Sequence, residues 1–180
     1  MNKKLTPIYT RFGDSGKTKT LDGKIVPKDC CLIEVNGDID SLQTSLDKIG
    51  SFMNYNNLLT NEQDRIYQVQ TLLWQLGGEI SQQSIGGFVT RPINDSDVED
   101  LENAIESFGL TISEFQRFKS MFAIEVNEAR VRTRKLERTL TQYLNDMEIR
   151  EVVYRYVNRL SDYFFALAVK IEQENLSEMK

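Results

Sequence analysis

Ten residues near the start of the chain combine the residue types that hold anions. The run from Tyr9 to Thr18 reads Tyr-Thr-Arg-Phe-Gly-Asp-Ser-Gly-Lys-Thr and carries two glycines, several hydroxyl groups and two cations. Such a loop can turn its backbone N–H groups towards a polyphosphate. A plain β-turn with glycines at positive φ is the alternative that these residues leave open.

The end of this loop, Gly16-Lys17-Thr18, resembles the end of a P-loop. A P-loop needs a glycine where Arg11 stands, and it needs a strand–loop–helix setting in a parallel sheet. The rest of the chain is predicted to be helical, so we reject the P-loop and keep phosphate binding as the hypothesis.

Two helical segments carry further polar groups. Arg130, Arg134 and Glu137 lie at i, i+4 and i+7, on a face that borders an apolar stripe. An arginine at a half-buried position usually binds a carboxylate or a phosphate. The alternative is a solvated helix face with weak ion pairs. Asn158 and Asp162 share a face of a later helix. Taken alone, this pattern is more typical of a packed helix whose polar side chains are hydrogen-bonded at its edge.

Composition excludes several classes of function. The 180 residues include no histidine, which excludes His-based catalytic triads and His-based zinc sites. The net charge of −5 argues against nucleic-acid and membrane binding. Cys30 and Cys31 are too few for a metal site. The start lacks the apolar run of a signal peptide and no stretch can span a bilayer, so we expect a cytoplasmic protein.

Apolar periodicity predicts an all-α fold, a five-helix antiparallel bundle with a loop-rich N-terminal segment. We expect one domain over 1–180, with the nucleotide-binding segment at 1–36, including short strands, and the bundle at 37–175. Asp38 or Asp40 is expected to cap the first helix. The predicted helices cover about 38–54, 61–81, 95–108 and 113–143, with a fifth after Asn145-Asp146.

Six segments in order resemble the ATP:cob(I)alamin adenosyltransferases of the propanediol-utilisation (PduO) type. The resemblance spans residues 8 to about 170. The matching segments are the loop Thr10 to Thr18; Lys28-Asp29; Glu34, Gly37, Asp40 and Leu42; Gln70, Leu73, Leu76, Gly77 and Glu79; Ala129, Arg130, Arg134, Glu137 and Arg138; and the complete Asn-Arg-Leu-Ser-Asp motif at 158–162.

The resemblance implies a homotrimer with active sites between subunits. Cobalt of cob(I)alamin would attack the 5′ carbon of ATP and displace triphosphate, with Mg²⁺ accompanying the nucleotide. This chemistry suits a protein without histidine, because the nucleophile belongs to the cobalamin. The resemblance also points to a cobalamin reductase or a cobalamin-dependent enzyme as a partner.

The resemblance assigns roles to individual residues. Arg134 and Glu137 would be catalytic, Asp40 and Arg130 would pair across the subunit interface, and Phe115, Phe118 and Asp162 would lie on the cobalamin side. The implied ATP-binding residues are Tyr9, Thr10, Arg11, Gly13, Asp14, Ser15, Gly16, Lys17, Thr18, Lys28, Arg134, Lys135, Glu137 and Asn158.

The chain departs from the family mainly on the cobalamin side. The family segment Phe-Ile-Leu-Pro-Gly-Gly is replaced by Phe115-Gln-Arg-Phe118-Lys-Ser, and a family histidine by Asn127. Lys135 replaces the second arginine of an Arg-Arg pair, which keeps the charge but loses the bidentate fork. These departures leave an alternative function open: a non-catalytic nucleotide- or cobalamin-binding paralogue with a regulatory or carrier role.

Overall fold

The fold was analysed in a computed structural model. The structure describes residues 8–9, 11–56, 58–81, 89–111, 116–142 and 149–174. Five helices dominate it, and they confirm the predicted bundle. They are α1 (Cys31–Asn56), α2 (Thr60–Ser81), α3 (Asp95–Ser107), α4 (Met121–Gln142) and α5 (Glu151–Gln173).

Apolar side chains at helical spacing form one core between the helices. On α4 the predicted stripe is buried, with Val126, Ala129, Leu136 and Leu140 at 0% exposure. Burying an aliphatic side chain of this size contributes about 1.5–3 kcal/mol relative to leaving it in water. The packing of α4 between α1 and α5 therefore holds one face of α4 inward and leaves the opposite face exposed.

Paired residues fix the directions of the helices. Phe52 stacks on Phe122 with ring centroids 4.2 Å apart, which joins the end of α1 to the start of α4. These two helices are therefore antiparallel. In contrast, α3 runs parallel to α5, because Glu102 bonds Arg159 at one level and Phe108 packs near Tyr163 further along both helices.

The first helix begins earlier than its predicted start near Asp38. It starts at Cys31, after a turn in which Cys30 accepts hydrogen bonds from the N–H groups of Ile33 and Glu34. Asp38 and Asp40 both lie inside α1, so neither caps it, and Asp38 is only 3% exposed. Gly37 lies on the exposed side of the helix, where a glycine costs only about 1 kcal/mol.

The fourth helix begins later than its predicted start near Ser113. It starts at Met121, because Ser120 accepts a hydrogen bond from the N–H of Ala123 and the Glu172 carboxylate accepts from the N–H groups of Lys119 and Ser120. Phe118 therefore precedes the helix instead of lying on its stripe. Phe115 lies outside the described residues.

The third helix and the N-terminal hairpin follow their predictions. Asn94 caps α3 in a capping box with Asp97, and Gly109 takes φ 62° two residues after its end. Strands β1 (Lys17–Lys19) and β2 (Ile25–Pro27) pair antiparallel after a 3-10 turn at Phe12–Ser15. Within the described ranges, no helix has the length and apolar character needed to cross a membrane.

Candidate functional site

The predicted anion loop is a compact turn closed by its own backbone. Gly16 takes φ 76° and donates its N–H to the Gly13 carbonyl, while the Gly16 carbonyl accepts from the N–H of Lys28 at 3.0 Å. A Cβ atom placed on Gly13 would lie 2.8 Å from Lys28 Nζ. The fold therefore brings the Lys28 ammonium onto the loop, and the resemblance implies that both bind ATP. Thr10 lies outside the described residues.

The other predicted residues of the loop lie at its surface. Arg11 takes φ 60°, and its guanidinium lies 5.7 Å from the centre of the Tyr9 ring. Asp14, Ser15 and Lys17 are exposed, whereas Thr18 is half-buried in β1. The loop thus presents cations and hydroxyl groups to solvent, an arrangement open to an anionic ligand.

A second polar group lies where α4 passes α5. Asn158 Nδ2 donates to Glu137 Oε1 over 2.9 Å, which joins the two helices across this face. Arg134 is exposed and lies one turn before Glu137. Within the part of the chain that the structure describes, no carboxylate forms an ion pair with Arg134. This face therefore places the Arg134 guanidinium, which has no carboxylate partner among the described residues, beside the hydrogen-bonded pair of Glu137 and Asn158.

Arg130 lies one turn before Arg134 on α4, and its surroundings are partly apolar. Its Nε donates to Asn127 Oδ1 at 2.8 Å, and its guanidinium lies 5.6 Å from the centre of the Phe165 ring. Burial, and then the nearby charge of Arg134, lower the pKa of Arg130. A carboxylate or phosphate bound beside Arg130 would offset this repulsion.

Phe118 belongs to the same region through Phe165, which it meets edge-on with ring centroids 6.3 Å apart. Sequence reasoning did not include Phe165 in the site, and it missed the contact of Asn127 with Arg130. The i, i+3 spacing of Asn127 and Arg130 is the signal that could have revealed that contact.

Two of the predicted site residues are engaged in ion pairs within the chain. Lys135 Nζ lies 2.6 Å from Oδ1 of the buried Asp38. Asp162 Oδ2 lies 2.7 Å from an amino nitrogen of Arg159. The side chains of Lys135 and Asp162 stay 59% and 52% exposed, so both lie at the surface with a protein partner.

One chain does not bring all the predicted residues together. Among the described residues, the backbones of the 3-10 turn and the two strands approach one another but none of the five helices, although Leu21 between the strands reaches the bundle. Asp40 lines a mainly apolar groove of about 350 Å³ between α1 and α2, together with Leu21 and Trp74. No bond joins Asp40 to Arg130 in the described part of one chain, since Arg130 lies beside Phe165 of α5.

The carboxylates of the predicted nucleotide-binding residues lie in the loop and on α4. Among the described residues, no three acidic or cysteine side chains come close enough together to hold a metal. Asp14 in the loop and Glu137 on α4 are isolated carboxylates. A Mg²⁺ ion that is bound mainly by phosphates and water needs only one or two such ligands.

Comparisons with known proteins identify the family of the chain. The family model described as cobalamin adenosyltransferase matches residues 8–171. A corrinoid adenosyltransferase of Citrobacter freundii is 30% identical over 173 residues, which cover 92% of this chain and 94% of that protein.

Solved structures have the same fold. A variant of the PduO-type adenosyltransferase from Lactobacillus reuteri, complexed with ATP, superposes with a TM-score of 0.79 at 26% identity, covering 95% of each chain. Another variant of that enzyme, complexed with cobalamin and ATP, has a TM-score of 0.79 at 24% identity and covers 94% of this chain and 93% of its own. With the family model matching most of its length, the chain belongs to the cobalamin adenosyltransferase family.

Proposed function

We propose that this protein transfers the 5′-deoxyadenosyl group of ATP to the cobalt of cob(I)alamin, with release of triphosphate. The observation that carries the proposal is the α4–α5 face, where Arg134 lies beside the Glu137–Asn158 pair without a carboxylate partner in the described chain. Membership of the adenosyltransferase family supports the choice of reaction. The ATP complex of the Lactobacillus reuteri enzyme supports ATP as the co-substrate.

The protein's share of this reaction is positioning and charge stabilisation. The cobalt nucleophile forms a bond to the 5′ carbon, the bond from that carbon to the triphosphate oxygen breaks, and the electron pair leaves with triphosphate. Arg134 and Lys28 would neutralise the charge that grows on the leaving group. Glu137 and Asn158, held 2.9 Å apart, would orient the nucleotide.

The loop and the α4–α5 face would meet between subunits. In the described residues of one chain the backbones of the 3-10 turn and the two strands do not approach a helix, which supports a second wall supplied by another subunit. We propose a homotrimer in which Asp40 of one subunit pairs with Arg130 of the next. Asp40 borders an exposed apolar groove that includes Trp74, 76% exposed, and a second subunit would cover such a surface.

Several further features belong to the same proposal. The N-terminal segment and the bundle would act as one domain, and Mg²⁺ would accompany the ATP phosphates. Phe118, together with Phe115, and Asp162 would border the cobalamin. Because cob(I)alamin is strongly reducing, a cobalamin reductase is the expected supplier and a cobalamin-dependent enzyme the expected recipient. The cytoplasm, where ATP is available, is the proposed location.

An anaerobic assay tests the reaction directly. The protein is mixed with chemically reduced cobalamin and MgATP, and the adenosylcobalamin spectrum is followed while ATP binding is measured by calorimetry. We expect turnover that saturates with ATP. ATP binding without product would instead favour the non-catalytic paralogue. The absence of ATP binding would overturn both adenosyl transfer and a nucleotide-binding role, and would leave only a cobalamin-binding paralogue.

A further inference from the structure

The strongest unassigned feature is a buried carboxylate that α1 directs at α4. Asp38 is 3% exposed, and both of its oxygens have partners on the same helix. Oδ1 lies 2.6 Å from Lys135 Nζ, and Oδ2 accepts a hydrogen bond from Thr139 Oγ1 at 2.6 Å. Lys135 and Thr139 are one turn apart, so the carboxylate holds α4 at two points.

We infer that Lys135 is a positioning residue that orients α4 through Asp38, and not a ligand of the ATP phosphates. Two polar contacts one turn apart add to the apolar packing of α4 and further restrict its rotation and its register against α1. Lys135 lies within about 3 Å along the helix axis of Arg134 and Glu137, at a rise of about 1.5 Å per residue. The attachment therefore sets the direction in which those two side chains point.

The burial of Asp38 explains why the lysine stays with it. If Lys135 moved to a phosphate, a carboxylate with 3% exposure would keep only the Thr139 hydroxyl as partner. An unpaired buried charge is strongly unfavourable, whereas ATP has Arg134 and the loop cations available. The Lys135 side chain is 59% exposed, so the pair draws its strength from the buried carboxylate.

A double-mutant cycle distinguishes the two roles of Lys135. The variants are Asp38→Asn, Lys135→Met and both together, each measured by urea unfolding at one fixed protein concentration and by calorimetric binding of MgATP. Lys48→Met is the matched control, because Lys48 also joins α1 to α4, through Glu125 at 3.4 Å, but both of those side chains are substantially exposed.

For a positioning residue we expect strong coupling between the substitutions. Lys135→Met lowers the urea midpoint by about 1 M in the wild-type background, but by less than about 0.2 M once Asp38 is Asn. Each single substitution weakens ATP binding by about 3- to 10-fold. The double variant binds ATP at least as tightly as the single variant with the lower affinity. Lys48→Met changes neither quantity appreciably.

Two results would overturn the inference. One is additive changes in urea midpoint. The other is an unchanged ATP affinity in Asp38→Asn together with an equal loss from Lys135→Met in both backgrounds, as a direct phosphate ligand requires. The effect on ATP rests on the proposed function, whereas the unfolding cycle does not. A wild-type protein that binds no ATP would therefore remove the function, and the urea data alone would then decide whether the two residues are coupled.

Discussion

Asn158 Nδ2 lies 2.9 Å from Glu137 Oε1, and this hydrogen bond joins α5 to α4 at the centre of the proposed ATP face. Asn158 is exposed, so the bond adds little to folding stability. Its consequence is orientation, because it fixes a carboxylate one turn away from Arg134.

Asn158→Ala should therefore impair catalysis without unfolding the protein. We expect kcat/KM for ATP to fall by about 10- to 30-fold, the size of a hydrogen bond to a charged group, with little change in the urea midpoint. Arg155→Ala is the control, since Arg155 on the same helix contacts the exposed Asp95 away from this face. Equal losses of activity in the two variants would contradict the assignment.

Arg134 and Arg132 should differ although they are neighbours on α4. Arg132 contacts Ser41 and Glu128, whereas Arg134 is exposed without a carboxylate partner among the described residues. Arg134→Ala should lower kcat/KM for ATP by about tenfold or more and leave stability unchanged. Arg132→Ala should change ATP use by less than about threefold and cost at most about 1 kcal/mol of unfolding free energy. Steady-state kinetics and urea unfolding measure both effects, and similar kinetic losses would be evidence against the ATP face.

The proposed subunit contact can be tested by exchanging its charges. Asp40→Arg or Arg130→Asp alone should dissociate the trimer at micromolar concentration, because losing one partner of a buried pair costs about 3–5 kcal/mol. The double variant, with the charges exchanged, should recover the trimer in part. Sedimentation velocity measures the assembly. Trimers that persist in both single variants would show that this pair does not hold the subunits together.

Glu172 should stabilise the fold because it caps the start of α4 from a distant position in the sequence. Its carboxylate accepts the N–H groups of Lys119 and Ser120 at 3.1 and 3.0 Å. Glu172→Ala should cost about 1–2 kcal/mol of unfolding free energy, as the loss of a helix cap does. In the control Glu174→Ala, which removes an exposed ion pair with Lys170, urea unfolding should change by less than about 0.5 kcal/mol. Equal costs would contradict the capping role.

Two buried tyrosines should make the fold sensitive to high pH. Burial raises the pKa of both Tyr156 and Tyr163. Both stay neutral in the folded state, so their contribution is complete below the unfolded pKa of about 10 and is lost as the pH rises above it. The free energy of unfolding should then fall by about 1.4 kcal/mol per pH unit for each tyrosine.

Tyr156→Phe separates the two contributions. Among the described residues the Tyr156 hydroxyl has no hydrogen-bond partner, so its removal should cost little at neutral pH. The slope above pH 10 should become less steep by about 1.4 kcal/mol per pH unit, the contribution of one tyrosine. Urea unfolding between about pH 9 and 11 measures how steeply the free energy of unfolding falls with pH. Tyr67→Phe, at an exposed position, is the control. An unchanged slope in Tyr156→Phe would refute this account.

Local sequence signals predicted the family, the five-helix bundle and the ends of α2 and α3 well. Asn94, which caps the start of α3, and Gly109, which follows its end, are signals of this kind, because each lies within two residues of the helix. The start of α4 was missed for the opposite reason. Neither glycine nor proline marks it, Ser120 is its only local signal, and Glu172 caps it from 52 positions away.

The start of α1 and the role of Asp38 were missed for a related reason. An aspartate next to a glycine is typical of a helix start, and the sequence does not reveal that Lys135 and Thr139 lie opposite it on another helix. The two walls of the ATP site could be predicted from motifs. In our proposal these walls meet between subunits, and spacing within one chain does not specify such contacts.

The close approach of Lys28 to Gly13 gives the N-terminal loop an unusual vulnerability. A methyl group on Gly13 would lie 2.8 Å from Lys28 Nζ, and the end of a lysine side chain can swing away at small cost. Gly13→Ala would therefore leave the fold and the net charge intact while it moves a positive charge off the loop. A substitution that alters no ionisable group would then behave as the loss of a lysine.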